Sequence, residues 1–296
     1  MSNQNRRNAI KNLVAGTAAL GASTMLPGIA AGKKKKDSPL KLKGNINHSV
    51  CQWCYNFMPL EDLCKLVKSI GFSAIDLIAP KDWPILQKHG IYSSMCYTEG
   101  DISLTKGLND KQYHDKIVNQ LLDVIPLMVK AGYKNVICFS GSRNGMDDET
   151  GINNCVEALK RVMPTAEKHG IIVNMELLNS KVDHKDYMCD KSAWGVALCK
   201  KLGSPNFKLL YDIYHMQVDE GDVIHTIRQH HEYFGHYHTA GVPGRHEIDD
   251  TQELFYPAIM KAIAATGFKG HVAQEFIPVA ADKQASLRYA VETCDV

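Results

Sequence analysis

The sequence lacks any bias of charge: 34 Lys+Arg stand against 32 Asp+Glu, a formal net charge of +2 over 296 residues. A basic face that could track a nucleic-acid backbone is therefore not expected. Past the N-terminal stretch the chain also lacks an apolar run near the ~20 residues that a membrane span needs. Its nine cysteines are an odd number at irregular spacings, so no small disulfide framework is implied. Cys51-Gln-Trp-Cys54 has redox-motif spacing, but reads more simply as two small residues near the end of a strand. No glycine-rich phosphate fingerprint follows the first expected strand. What is present is 45% hydrophobic and 22% charged residues, the balance of a globular chain long enough for a large core.

The N-terminus reads as an address. Arg6, Arg7 and Lys11 precede an uncharged stretch from Asn12 to Gly32, which ends in the small residues Gly28-Ile29-Ala30-Ala31-Gly32. A positive end, an apolar middle and a small-residue site make residues 1–32 an export signal. The paired arginines resemble the twin-arginine type, although Asn5 and Ala9 depart from its usual pattern. Export of a folded, metal-loaded protein, in a bacterium to the periplasm, is the expected localisation. Loss of this segment leaves 31 basic residues against 32 acidic ones. Residues 33–44, opening on Lys33 to Lys36, are expected to be a linker, and residues 45–296 a single domain.

In that domain short β-branched runs alternate with longer amphipathic ones. Strands are expected at 49–53, 74–78, 91–97, 135–139, 171–176, 207–212, 234–238 and 272–275. Helices are expected at 60–70, 82–89, 111–131, 153–169, 191–202, 223–231, 252–265 and 281–291. Leu60, Leu63, Leu66, Val67 and Ile70 illustrate the helical spacing, which Gly71 ends. Eight strand–helix units in about 256 residues imply a closed (β/α)8 TIM barrel, with an open doubly wound sheet as the alternative.

Barrel chemistry sits at the C-terminal ends of the strands. Four successive strands end in Glu176, Asp212, His238 and Glu275, separated by 36, 26 and 37 residues. Each is costly in an apolar setting, and three converging carboxylates repel one another unless a cation lies between them. Three carboxylates and one imidazole suit a hard to borderline divalent ion, Mg²⁺ or Mn²⁺; zinc would more often recruit thiolates or several histidines. His215 lies three residues past Asp212 and could reach the same mouth. The loop Gly241-Val242-Pro243-Gly244-Arg245-His246-Glu247 offers Arg245 as a fork for a carboxylate or sugar hydroxyls, or else for a salt bridge with Glu247 or Asp249. His230, His231 and His236 read as surface or core residues.

Met-Glu-Leu-Leu-Asn (175–179), Tyr-Asp-Ile-Tyr-His (211–215), His-Tyr-His-Thr-Ala-Gly-Val-Pro-Gly-Arg-His-Glu (236–247) and Gln-Glu-Phe-Ile-Pro (274–278) resemble the hydroxypyruvate isomerase family, within the xylose isomerase-like TIM barrels. The resemblance covers about residues 45–290. It implies one divalent metal on Glu176, Asp212, His238 and Glu275, with Glu176 and Glu275 as the acid–base pair. His215, Arg245 and His246 become the candidate substrate-binding residues. The implied reaction converts hydroxypyruvate to tartronate semialdehyde through an enediolate. Two features depart from that family: His238 stands where its bacterial members carry Gln, which matches the ketose epimerase branch, and an export signal is present. An exported sugar epimerase using the same metal site is therefore the alternative, followed by a non-catalytic carbohydrate-binding barrel. A zinc nuclease of the endonuclease IV kind would need more histidine ligands and a basic face. The expected partner is a small hydroxy-carbonyl or sugar substrate and, at most, further copies of the chain.

Overall fold

A computed structural model describes residues 38–98, 100 and 103–296. The expected export signal at 1–32, and residues 33–37 of the expected linker, lie outside these. Eight strands run β1 Asn47–Val50, β2 Ala74–Ile78, β3 Tyr92–Cys96, β4 Asn135–Cys138, β5 Ile172–Glu176, β6 Phe207–Asp212, β7 Phe234–Thr239 and β8 His271–Gln274. All pair in parallel, in the order β1-β8-β7-β6-β5-β4-β3-β2. A parallel bridge between Cys51 and Asp76 joins the two ends of that order. The result is the expected (β/α)8 barrel rather than an open sheet.

Nine α-helices follow the strands among the described residues, two of them after β6: α1 Leu60–Ile70, α2 Trp83–Lys88, α3 His114–Ala131, α4 Asp148–His169, α5 Ser192–Leu202, α6 Ile213–Asp219, α7 Val223–His230, α8 Tyr256–Ala265 and α9 Lys283–Cys294. Helix α4 starts five residues earlier than its apolar spacing suggests, because Asp147 caps it by accepting from the Thr150 amide. Helix α8 starts four residues later than expected. Gln252 ties its amide to Leu254 and Asp249 in a turn, and Pro257 occupies the first helical turn. Helix α6 was not expected: Asp212 ends β6 and at once caps the next helix through the His215 amide at 3.1 Å. Gln52 and Trp53, expected in the first strand, form a short 3-10 turn that swings Trp53 toward the barrel mouth. Residues 38–44 lie against the barrel, Lys43 bonding Asp295 and Leu40 bonding Ile70.

The interior is unusually polar for this architecture, whose barrels are mostly filled by branched apolar layers. Ser49 of β1 bonds Ser94 of β3, and Asp76 of β2 bonds His236 of β7. These strands are not neighbours, so the bonds cross the inside of the cylinder. The aliphatic and aromatic core lies mainly between strands and helices, where Leu63, Ile70, Leu159, Phe207 and Ile263 are buried. All nine cysteines are free and buried. The thiols of Cys51 and Cys54 are pushed well above the ordinary range, chiefly by burial, which suits the structural reading and not a redox one.

Near the start of β8, His271 stacks on Tyr92 with ring centroids 5.5 Å apart. Burial pulls its pKa down from the ordinary 6.5 to about 4. Between those values the unfolded chain carries a proton that the folded chain excludes, so falling pH favours unfolding. Stability should drop by about 2 kcal/mol from this group as pH falls from about 6.5 toward 4. Urea unfolding at several pH values should show a shallower acid loss in His271→Gln than in the parent; parallel curves would contradict this.

Candidate metal centre at the barrel mouth

The last four strands place their terminal side chains at one point. Glu176 ends β5, Asp212 ends β6, His238 lies one residue inside the end of β7, and Glu275 follows β8 directly. The Glu275 amide still bonds the Thr239 carbonyl at 2.8 Å, so the residue continues the ladder. Each offers a ligand atom within 4.8 Å of the others, and all four are buried. His238 Nδ1 lies 2.8 Å from Glu275 Oε2 and 3.2 Å from Glu176 Oε1. Backbone anchors hold the strand ends. Tyr187 donates its hydroxyl to the Glu176 carbonyl at 3.0 Å, and Tyr256 clasps both backbone polar groups of Ala240.

Charge is balanced by an arginine. Arg245 Nη2 lies 2.5 Å from Glu275 Oε2 and 3.5 Å from Asp212 Oδ2. Its guanidinium is flanked by the Trp53 and Tyr214 rings at 5.2 and 5.6 Å. The expected alternative partners Glu247 and Asp249 are not used. The loop that carries it is tightly built. A Cβ on Gly241 would lie 2.3 Å from the Glu247 carbonyl, and Gly244 and Arg245 both have positive φ, 93° and 60°. Trp53 Nε1 donates to the other Glu275 oxygen at 2.8 Å. That contact explains the inward swing of the first turn.

The carboxylates are not equivalent. Burial raises the affinity of Glu176 for a proton, and raises that of Asp212 strongly. Burial acts the same way on Glu275, but the nearby His238 and Arg245 outweigh it, and its carboxyl lies well below the ordinary range. Burial also opposes charging His238, yet Cys51, Glu275 and Asp76 around the ring hold its pKa well above the ordinary value. Mutual repulsion and desolvation are thus met only in part by Arg245 and the imidazole. Glu176 Oε1 is buried without a hydrogen-bond donor. Three carboxylates and an imidazole in this state fit one divalent cation.

His215 arrives through α6 rather than through a free turn. Asn179 fixes its ring: Oδ1 accepts from the Val182 and Asp183 amides, so Nδ2 must donate to His215 Nδ1 at 2.6 Å. Nε2 then carries the hydrogen, 3.8 Å from Asp212 Oδ2 and without a partner of its own. Burial, aided by Arg245, keeps this ring neutral. His246 is not brought to the cluster: its exposed side chain turns to the Ile277 carbonyl at 3.1 Å. His230, the last residue of α7, is half-buried, and His231, just past that helix, is exposed.

Sequence reasoning missed Asp76. It sits fully buried in β2 with Oδ2 2.8 Å from His236 Nε2 and 2.9 Å from His238 Nε2. Its only signal was a lone acid inside Ala74-Ile75-Asp76-Leu77-Ile78. Trp53, Tyr214 and Asn179 were missed as well, although Tyr214 and Asn179 lie within the quoted motifs.

The family described as the xylose isomerase-like TIM barrel matches residues 64–292. A 2-oxo-tetronate isomerase from Cupriavidus necator is 34% identical over 123 residues, 42% of this chain and 46% of that one. A human relative provisionally named hydroxypyruvate isomerase is 29% identical over 42% of this chain and 44% of its own. A D-psicose 3-epimerase from Ruminiclostridium cellulolyticum is 31% identical over 40% of this chain and 39% of its own. The matched stretch therefore spans less than half the length of each of these three relatives. Among solved structures, an AP endonuclease of family 2 from Brucella melitensis superposes with TM-score 0.73 at 20% identity, covering 82% of this chain and 97% of that one. A 3-keto-D-glucoside 4-epimerase from E. coli gives TM-score 0.70 at 16% identity, covering 84% and 100%.

Glu247 fastens the arginine loop to the segment after β8. Its Oε1 accepts from the Val279 and Ala280 amides at 2.9 Å and from the Ser286 hydroxyl at 3.2 Å. Glu247→Ala removes a buried acceptor that three donors share and should destabilise the fold by roughly 2 kcal/mol, read as a lower urea midpoint. An unchanged midpoint would remove this loop from the support of the site.

Proposed function

The chain belongs to the xylose isomerase-like TIM barrel family, and from that premise we propose that it is a divalent-metal-dependent isomerase. It interconverts a small hydroxy-ketone with its aldehyde through an enediolate, and hydroxypyruvate to tartronate semialdehyde is the reaction we favour. The observation that carries this reading is the buried set Glu176, Asp212, His238 and Glu275, with ligand atoms within 4.8 Å of one another. Similarity to proteins named as 2-oxo-tetronate and hydroxypyruvate isomerases supports it.

Those four residues would hold one Mg²⁺ or Mn²⁺, which when bound supplies positive charge to the substrate oxygens as they become negative. Glu176 and Glu275 face the same small space and act as the acid–base pair. One removes the proton from the hydroxyl-bearing carbon, the other delivers a proton to the former carbonyl carbon, and the hydroxyl's own proton passes to the former carbonyl oxygen, so that ketone and aldehyde interconvert with no net gain or loss of protons. General acid–base catalysis contributes roughly 10²–10⁴-fold. His215 offers its unpartnered Nε2 hydrogen to a substrate oxygen. Arg245 stands at the mouth with a buried, unpartnered Nε, suited to a substrate carboxylate. Trp53 and Tyr214 keep that guanidinium in place and limit water around it.

A ketose epimerase is the second reading. It is favoured by the imidazole of His238 among the ligands and by similarity to a D-psicose 3-epimerase. It needs the same pair of carboxylates, and a panel of hydroxypyruvate and ketoses separates the two by which substrate turns over.

Glu275→Gln should abolish turnover while the melting transition stays cooperative; retained activity would take Glu275 out of the acid–base pair. Dialysis against a strong chelator should silence the parent enzyme, and added Mn²⁺ should restore it. Rates untouched by the chelator would overturn the metal-dependent reading.

A further inference from the structure

We propose that Asp76 is the positioning residue of the metal centre: it holds His238 by its outer nitrogen, so that Nδ1 alone faces the cation. The inference rests on the metal reading above and adds to it a residue from the opposite side of the barrel. His238 presents two nitrogens to two acidic groups. Nδ1 points at Glu275 and Glu176 at 2.8 and 3.2 Å, and Nε2 points at Asp76 Oδ2 at 2.9 Å. An imidazole that ligates through one nitrogen must leave it unprotonated, and the tautomer is set by what the other nitrogen donates to. An ionised carboxylate can only accept, so Nε2 carries the hydrogen.

The fold is locally distorted to make this contact. The register between β2 and β3 shifts on both sides of Asp76, with Asp76 opposite Met95 and Ile78 opposite Cys96. Leu77 is left as the extra residue, in the left-handed region at φ 60°. A branched side chain there is strained, and such bulges serve to re-aim a neighbouring side chain. Here the neighbour is Asp76, which also meets Cys51 across the barrel's closing seam.

The carboxylate is itself held. Ser94 donates to Oδ1 at 3.0 Å, Ser49 lies 2.5 Å from that hydroxyl, and His236 Nε2 approaches the same Oδ2 at 2.8 Å. Cys51 Sγ closes the group at 3.7 Å from both Asp76 and His238 Nε2. Asp76, His236 and His238 are all fully buried. A purely structural buried network would have no reason to terminate on the one imidazole among the candidate ligands.

The test uses the full chain and two probes. Mn²⁺ affinity, measured by competition with a chelator, should fall roughly 10- to 100-fold in Asp76→Asn, while the metal-free variant keeps a cooperative melting transition. A folded variant with parent-like Mn²⁺ affinity would overturn the proposal. Should the variant fail to fold, nitrogen NMR of histidine-labelled parent protein loaded with Mg²⁺ decides without any substitution. His238 should show a protonated Nε2 and an unprotonated Nδ1, and the reverse pattern would overturn it. Parent protein that binds neither ion would instead sink the metal reading itself.

Discussion

Three carboxylates gathered within 4.8 Å, in an interior that excludes water, repel one another and have each lost their hydration. That unfavourable arrangement is the constraint around which the mouth of this barrel is organised. The opposing charge from the protein is one guanidinium and one imidazole, Arg245 and His238. The opposite displacements of Glu176 and Glu275 from ordinary proton affinity show how unevenly that charge is shared. A bound divalent cation would complete the balance, and the costly cluster then becomes a catalytic asset instead of a flaw in the fold.

Rigid elements surround this point on every side. Tyr187 and Tyr256 fix the ends of β5 and β7, and Asp212 is pinned by the helix that it caps. The loop bearing Arg245 is closed by glycines at its sharpest turn and fastened by Glu247 to the chain after β8. Beneath the mouth, the serine–aspartate–histidine network replaces apolar filling. The polar layer inside the cylinder and the strained residue at Leu77 therefore have one explanation: both serve the orientation of His238.

Much of this was legible in the sequence because strand period and chain order do simple things. A strand-end polar residue in each of four successive units can only meet its counterparts at one rim, so Glu176, Asp212, His238 and Glu275 could be read together. His236 could have been read with His238, since residues two apart on a strand share a face. Asp76 could not, because nothing in a five-residue apolar strand announces a bulge at Leu77 or a partner 162 residues away. His246 misled for the converse reason: its motif is specific, but the positive φ at Arg245 sends consecutive side chains in different directions. Helix α6 was hidden because Ile213, Tyr214 and Met216 continue an apolar strand as readily as they begin a helix.

Anomalous scattering from crystals soaked in Mn²⁺ and measured at the manganese edge tests the central claim most directly. The account predicts a single strong peak enclosed by Glu176, Asp212, His238 Nδ1 and Glu275. A barrel with those four side chains in place and no peak among them would contradict it.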